Sequence, residues 1–573
     1  MKQVECPYCH TMSTDTEFCD ECGKNIEQVL HNELKEKQIF DFKDKWIDGI
    51  FDLNCTMVEV NNEVCATKIL VTQEDDIEYP FYCKLKDEKY CLYFIKDEPA
   101  QNLRTWIQSK AISVEDTLNI VRKMCLIVQK IQKSNYILGT FDLNDFWIRN
   151  DNLNTLFFRV VRPFYKPGEL ISNMNLGEFT ALEIKNKVPN DLDCSSDVFL
   201  IGNVVVNLIL NKENYINYSE FRYLAHELNI FKEDIPIGLH KWIGKSTSIV
   251  KNERYKNVTE QLNQLNKILS LDKRRKSKAN EINYEIEAFM ETNCGDGKRN
   301  KFKSEAPENV INEDRVILLN DTNSNKFLGI IADGISTCKY GSGAHAAQHI
   351  IDAASDLWKE KSKTLNSDDE VIKFFEDIVT ESNKRIVDEI AKKYASSIDI
   401  SEIKSFEIMG STLAGIFMEN DTVYSVSIGD SRTYVYSEKG MNLVHYDDNV
   451  FNEKIKQKLF WNDIQQIDDK HSITKNIGNI NLEAKDIVKM KKFKLFEDEI
   501  LLICSDGLSD YINPIEYKND EWNIDEKLSE IINNQRNGKN ALNKISNILV
   551  KEANRNGGGD NISVILVKAY SKN

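Results

Sequence analysis

Apolar and polar residues alternate with period two between about residues 45 and 97, as in Thr56-Met-Val-Glu-Val60 and Tyr90-Cys-Leu-Tyr-Phe-Ile95. That spacing predicts strands. From about residue 101 the spacing becomes helical: in 114–134, Leu118, Val121, Met124, Val128 and Ile131 fall on one face. Segments 197–211 and 258–269 read as further helices. The stretch 271–280, Leu-Asp-Lys-Arg-Arg-Lys-Ser-Lys-Ala-Asn, has no apolar period and reads as a solvated linker rather than a patch for an acidic partner. After 285 the pattern changes again. Strands are predicted at 314–320, 327–332, 412–418, 422–428, 432–437, 499–504 and 562–568, with long helices at 343–360 and 368–394. Strand-rich sequence around paired helices predicts two packed sheets with helices outside. No internal repeat or low-complexity segment interrupts it.

Composition narrows this little. The 573 residues suffice for three or four domains, and 41% hydrophobic with 29% charged residues is a globular balance. A net charge of −17 disfavours a general nucleic-acid or membrane-surface role. The longest apolar run, Val198 to Leu210, is too short to span a bilayer and carries Asn203 and Asn207. No signal peptide is read at the start, so a cytoplasmic location is expected. Thirteen cysteines, mostly scattered singly, suit reduced thiols better than a disulfide framework.

Four cysteines are not scattered. Cys6-Pro-Tyr-Cys9 and Cys19-Asp-Glu-Cys22 form two Cys-x-x-Cys pairs within residues 1–28, the spacing of a zinc ribbon. Four thiolates close a tetrahedral Zn²⁺ site and leave no open position, so one structural zinc is expected, with His10 surplus.

Residues 40–270 resemble, in outline, a protein kinase. Leu138-Gly-Thr-Phe-Asp142 is similar to a kinase catalytic loop, Thr180-Ala-Leu-Glu183 to the Ala-Pro-Glu segment, Ser196-Asp197 to the start of the buried helix, and Arg254 to the family's closing Arg. The chemistry is missing. Trp147 stands where the metal-binding Asn is expected, 153–168 contains no Asp, and no glycine lies between Gly49 and Gly139 to form a phosphate loop. Lys68 alone could mimic the nucleotide lysine. The resemblance implies a pseudokinase domain that binds or regulates, with Asp142 structural.

The chemistry is expected further on. Asn312-Glu313-Asp314, Ala332-Asp333-Gly334, Cys504-Ser-Asp506-Gly507 and Gly559-Asp560-Asn561 each place an acid beside Gly or Asn at the edge of an apolar run. Asp333 closes the run Phe327–Ala332, and Asp506 and Asp560 are expected to end similar strands. A lone Asp-Gly is usually a turn. Several acids gathered at strand ends, with glycines admitting backbone, are what hard divalent cations need.

These motifs, with Gly410-Ser-Thr412, Gly429-Asp430-Ser431-Arg432, His471 to Gly478 and Asp510, identify residues 285–571 as similar to the PP2C (PPM-type) metal-dependent serine/threonine phosphatases. The resemblance implies an αββα sandwich binding two Mn²⁺ or Mg²⁺ ions. It implies that Asp333 bridges them, Asp506 and Asp560 ligate the first, Gly334 and Glu313 serve the second, and Asp314 orients the attacking water. Asp430 and Asp510, with Asp506, would hold a third, weaker ion. No protein nucleophile is implied.

Two departures stand out. Asn309 occupies the place where many relatives carry a phosphate-gripping Arg, with Arg299, Lys301 and Lys303 nearby as substitutes. Ile335-Ser-Thr-Cys338 follows Asp333-Gly334, without the His of eukaryotic relatives. The expectation is a multidomain α+β chain: zinc ribbon 1–28, kinase-like 40–270, linker 271–284 and phosphatase 285–571. The last would hydrolyse phosphoserine and phosphothreonine in proteins, opposing a cognate Ser/Thr kinase. The alternatives are a non-catalytic scaffold on a phosphatase fold and, less in keeping with Trp147, a bifunctional kinase–phosphatase.

Overall fold

The computed structural model describes most of residues 76–276 and 284–571, together with Val4–Glu5, Met12–Ser13 and Cys55–Val60. Cys6, Cys9, Cys19, Cys22, Lys68 and Asn309 lie outside the described residues. The chain divides into two compact units, one of Met1–Leu228 with Leu239–Leu269 and one of Asn229–Gly238 with Ser270–Asn573. Among the described residues no helix is long and apolar enough to cross a membrane.

In the first unit, Val4–Glu5 pairs antiparallel with Met12–Ser13, on either side of the first Cys-x-x-Cys. Cys55–Val60, Lys89–Ile95 and Tyr82–Lys86 form a three-stranded antiparallel sheet. The helix Val114–Lys133 opens with a capping box: Ser113 accepts from the Asp116 backbone N–H and Asp116 accepts in return. It buries Leu118, Val121, Met124, Val128 and Ile131, the face its spacing predicted. Asp142 caps the turn Leu143–Asp145 and pairs with Arg104 at 3.3 Å. Trp147 lies on a strand with the Arg159 guanidinium 3.8 Å from its ring centroid.

Two buried polar devices organise the unit. Asp197, at the start of the helix Cys194–Leu210, accepts from the backbone N–H groups of Leu138 (3.0 Å) and Gly139 (2.9 Å). Glu183 pairs with Arg254 at 2.7 Å, both all but excluded from solvent. The helix expected at 258–269 continues from Val258 to Lys276, so part of the stretch read as linker is helical.

The second unit is built on β1 (Tyr284–Asn293), β2 (Arg315–Asp321), β3 (Lys326–Ala332), β4 (Leu413–Glu419), β5 (Thr422–Ile428), β6 (Arg432–Ser437), β7 (Gly440–Leu443), β8 (Lys489–Lys494), β9 (Ile500–Cys504) and β10 (Ile562–Ser571). They form two five-stranded antiparallel sheets, in the orders β1-β10-β9-β6-β7 and β2-β3-β4-β5-β8. Every residue of β3 is buried, and its alternation assigns the faces. Phe327 and Ile331 join Ile416, Val435, Ile503 and Ile565 between the sheets. Leu328, Ile330 and Ala332 face α2 (Gly343–Lys361) and α3 (Asp368–Tyr394). On the other side, α4 (Glu521–Gln535) and α5 (Ala541–Arg555) cover Tyr434, Leu502, Val564 and Leu566. The result is four layers, helix–sheet–sheet–helix.

The predicted strands and long helices of this half are present within about one residue of their expected ends, except that β10 runs three residues further. Strands β1, β7 and β8 and helices α4 and α5 have no counterpart in the sequence reading. In β1, alternation gives a strand only half-buried on its inward face, so its pattern is weak.

The Glu183–Arg254 pair generates a test. Arg254→Met leaves a buried carboxylate without its ion partner, and the expected loss is about 3–5 kcal/mol. Urea unfolding followed by the tryptophans of the first unit should show that unit's transition moving to lower denaturant while the second unit's holds.

Candidate active site

Strand register gathers the acids. Arg315 pairs with Ala332, so Asp314, just before β2, meets Asp333, just after β3. Thr412 fixes that corner: its N–H donates to the Asp333 carbonyl (2.8 Å) and its Oγ1 accepts from the Asp333 N–H (3.2 Å). In the other sheet Cys504 pairs with Arg432 on one side and Val564 on the other. Asp430, Asp506 and Asp560 therefore sit at one end of three neighbouring strands. Asp560 does not end a strand as expected; it precedes β10. Because β10 runs antiparallel to β9, its beginning lies beside the end of β9, so Asp506 and Asp560 still come together.

The glycines permit close approach. A Cβ on Gly334 would stand 2.2 Å from the Gly343 carbonyl carbon, at the start of α2, and one on Gly507 would stand 1.9 Å from the Asn561 carbonyl oxygen. No other residue fits either place.

The carboxylates crowd one another. The Asp333 carboxyl neighbours those of Asp314 and Asp506. Ser505 Oγ donates to Asp314 Oδ2 (2.9 Å). Burial first, then the neighbouring acids, raises the pKa of these carboxyls and disfavours their ionised form. Asp314 is pushed up to about 6 and Asp430 to about 7. Asp333 is raised well above the aspartate range by burial and then Asp314, Asp506, Asp430 and Asp560. Asp506 is raised likewise by burial and then Asp430, Asp560 and Asp510.

Among the described residues no three His, Cys, Asp or Glu side chains close on one point as a metal cage. The donor chemistry nevertheless fits hard divalent cations. The Oδ1 atoms of Asp314, Asp430 and Asp506 are buried with no hydrogen-bond donor. Unpartnered anionic oxygens in such numbers call for positive charge.

The expected residues divide as follows. Asp314, Asp333, Asp430, Asp506 and Asp560 are brought together. Glu313 lies at the rim, accepting from Ser336 Oγ and held by its backbone N–H to Asn561 Oδ1 (2.8 Å). Asp510 neighbours Asp430 and Asp506. Arg432, flanking Asp430, forms a two-pronged pair with Asp447 at 2.6 and 2.9 Å.

Sequence reasoning missed Lys298. On α1 (Asp296–Lys303), its Nζ lies 2.9 Å from Asn561 Oδ1, 3.0 Å from Asp560 Oδ1 and 3.4 Å from Glu313 Oε2. The nearby Arg299 and Lys301 had been considered instead. Fifteen positions separate Lys298 from Glu313, which hid the pairing. The available signal was Gly295-Asp-Gly297 immediately before it.

Residues 303–549 match the family described as protein phosphatase 2C. A serine/threonine phosphatase, stp, of Listeria innocua is 27% identical over 186 residues, which are 32% of this chain and 67% of the relative. The corresponding Listeria monocytogenes protein is 26% identical over 195 residues, 34% of this chain and 70% of its own. Among solved structures, the S. agalactiae serine/threonine phosphatase is similar at 21% identity and TM-score 0.37, covering 50% of this chain and 99% of its own. The Mycobacterium tuberculosis phosphatase PstP/Ppp is similar at 19% and 0.36, covering 49% and 98%.

The crowding predicts a trade between stability and chemistry. An acid whose folded ionisation lies above its unfolded value of about 3.9 stabilises at low pH, and that contribution is lost as pH rises through the folded value. Asp506→Asn removes one such charge. In EDTA the variant should melt about 2–6 °C above the parent at neutral pH, with the gap narrowing toward pH 4.5. Mn²⁺ should reverse the order. Calorimetric scans at both pH values, with and without metal, check this.

Proposed function

We propose that the protein phosphatase 2C domain of this chain hydrolyses phosphoserine and phosphothreonine esters in proteins, with Mn²⁺ or Mg²⁺. The observation that carries the reading is the set of buried, donor-less carboxylate oxygens on Asp314, Asp430 and Asp506 around Asp333. Asp333, Asp506 and Asp560 would hold the first ion. Asp333, Gly334 and Glu313 would serve the second, and Asp430 and Asp510 with Asp506 a third. When bound, such ions supply Lewis acidity, lowering the pKa of water and neutralising phosphoryl oxygens.

The remaining work falls to the chain. Asp314, fixed through Oδ2 by Ser505, keeps Oδ1 available to accept a proton from the attacking water. Water oxygen bonds to phosphorus as the phosphorus–oxygen bond to the seryl or threonyl side chain breaks; the products are the hydroxyl side chain and inorganic phosphate. The hydroxyls of Ser505 and Thr412 at the cluster are engaged in hydrogen bonds that position Asp314 and Asp333, and no side chain is given the role of nucleophile. The leaving oxygen takes its proton from solvent, since Ile335, Ser336, Thr337 and Cys338 follow Asp333-Gly334 and supply no imidazole.

The first unit is read as a kinase-like regulatory or substrate-recruiting domain without phosphoryl-transfer chemistry. The Asp197 bonds to the Leu138 and Gly139 backbone and the Glu183–Arg254 pair support the outline. Trp147 packed against Arg159 supports the loss of chemistry. The paired strands flanking Cys6 and Cys9 support a zinc knuckle there, with Cys19 and Cys22 completing one structural Zn²⁺. A cytoplasmic phosphoprotein, the substrate of a cognate Ser/Thr kinase, is the expected target.

Hydrolysis of a phosphothreonine peptide by the full chain tests the reading. Turnover should require Mn²⁺ or Mg²⁺, vanish in EDTA, and fall at least about 100-fold in Asp333→Ala. Metal-replete full-length protein with no turnover would overturn it and leave the scaffold reading.

A further inference from the structure

The position of Lys298 is built with care. Gly295 has φ +82°, and a Cβ there would stand 2.1 Å from the Asp560 carbonyl oxygen. A Cβ on Gly297 would stand 2.0 Å from the Gly557 carbonyl oxygen. With both glycines bare, the start of α1 seats directly on the loop that carries Asp560, and the Lys298 N–H donates to the Gly558 carbonyl at 3.0 Å. The Lys298 side chain is then only 13% exposed, and its ammonium is delivered between Glu313 and Asp560. Asn561 Oδ1 completes its shell while also accepting from the Glu313 N–H, so one amide ties both partners together.

The ammonium therefore occupies the rim of the acid cluster, whereas Asp333 and Asp506, deeper in, have carboxylates as neighbours. An oxygen that donates its lone pairs to an ammonium is a poorer ligand for a divalent ion, and a fixed positive charge a few ångströms away repels that ion directly. We propose that Lys298 is a resident counter-ion that competes with divalent cations for Glu313 and Asp560, so that full metal loading requires it to give up those two carboxylates. The inference rests on the reading of Glu313 and Asp560 as ligands. It makes cation occupancy weaker than the carboxylates alone would give, and sensitive to whatever draws Lys298 away.

The test is calorimetric titration of MnCl₂ into EDTA-stripped, full-length protein without substrate. Lys298→Met and Lys298→Gln should each tighten overall Mn²⁺ binding about ten-fold, at the steps that use Glu313 and Asp560. Lys298→Arg, which keeps the charge, should stay near the parent. Thermal scans identify which neutral variant is folded, and one folded variant suffices. Equal or weaker binding in the neutral variants overturns the inference. Absence of Mn²⁺ binding in the parent overturns it together with the ligand assignments. Tightened binding without phosphopeptide hydrolysis in any form sustains the lysine's role and overturns only the phosphatase reading.

Discussion

Mutual repulsion among buried carboxylates is the constraint on which the second unit turns. Asp314, Asp333, Asp430 and Asp506 are held in a low-dielectric corner where each raises the cost of ionising the others. A protein selected for stability alone would not keep such a cluster. Two rigid sheets enforce it, because each acid is fixed at a strand end by ladder hydrogen bonds that continue deep into the core. The strands can hold the charges together because Phe327, Ile331, Ile416, Ile503 and Ile565 lock the sheets face to face, each contributing about 1.5–3 kcal/mol of burial.

The same logic accounts for the surroundings. Ser505, Ser563 and Thr412 are buried hydroxyl residues at strand ends, where apolar residues would pack equally well. Ser505 donates to Asp314, Ser563 donates its N–H to Ser505 Oγ, and the Thr412 hydroxyl accepts from the Asp333 N–H, which leaves carboxylate oxygens unsatisfied. Lys298 belongs to this scheme as an ammonium brought to the rim by α1.

What could be read from the chain followed from how local each signal was. Strands β3, β4 and β9 are mostly apolar runs, and the ends of β3 and β9 lead into Asp333 and Asp506. The two long helices α2 and α3 show clean helical spacing. Asp560 was legible as a site residue but misplaced relative to its strand, because residue order does not say whether an acid precedes or follows a strand in antiparallel pairing. Lys298 was illegible for a different reason. Its partners lie fifteen residues away at Glu313 and more than 260 away at Asp560, and only the folded strand β1, itself weakly patterned, carries α1 to the loop at 557–560.

Comparing how the two units bury charge separates structure from chemistry. Among the described residues of the first unit the buried acids have dedicated counterparts: Glu183 has Arg254, Asp145 has Arg162, and Asp197 has two backbone N–H groups and Gln132, while the half-buried Glu78 has Arg159. Such pairs are costly to break and do little beyond fixing geometry. At the strand ends of the second unit Asp314, Asp333, Asp430 and Asp506 instead face one another, and the Oδ1 atoms of Asp314, Asp430 and Asp506 meet no donor among the described residues. A fold can carry the first kind of burial indefinitely without function. The second kind persists only where something positive is to be bound, which is why the catalytic assignment rests on the strand ends of the second unit and not on Asp142 of the first, an acid already engaged in capping its own turn and pairing with Arg104.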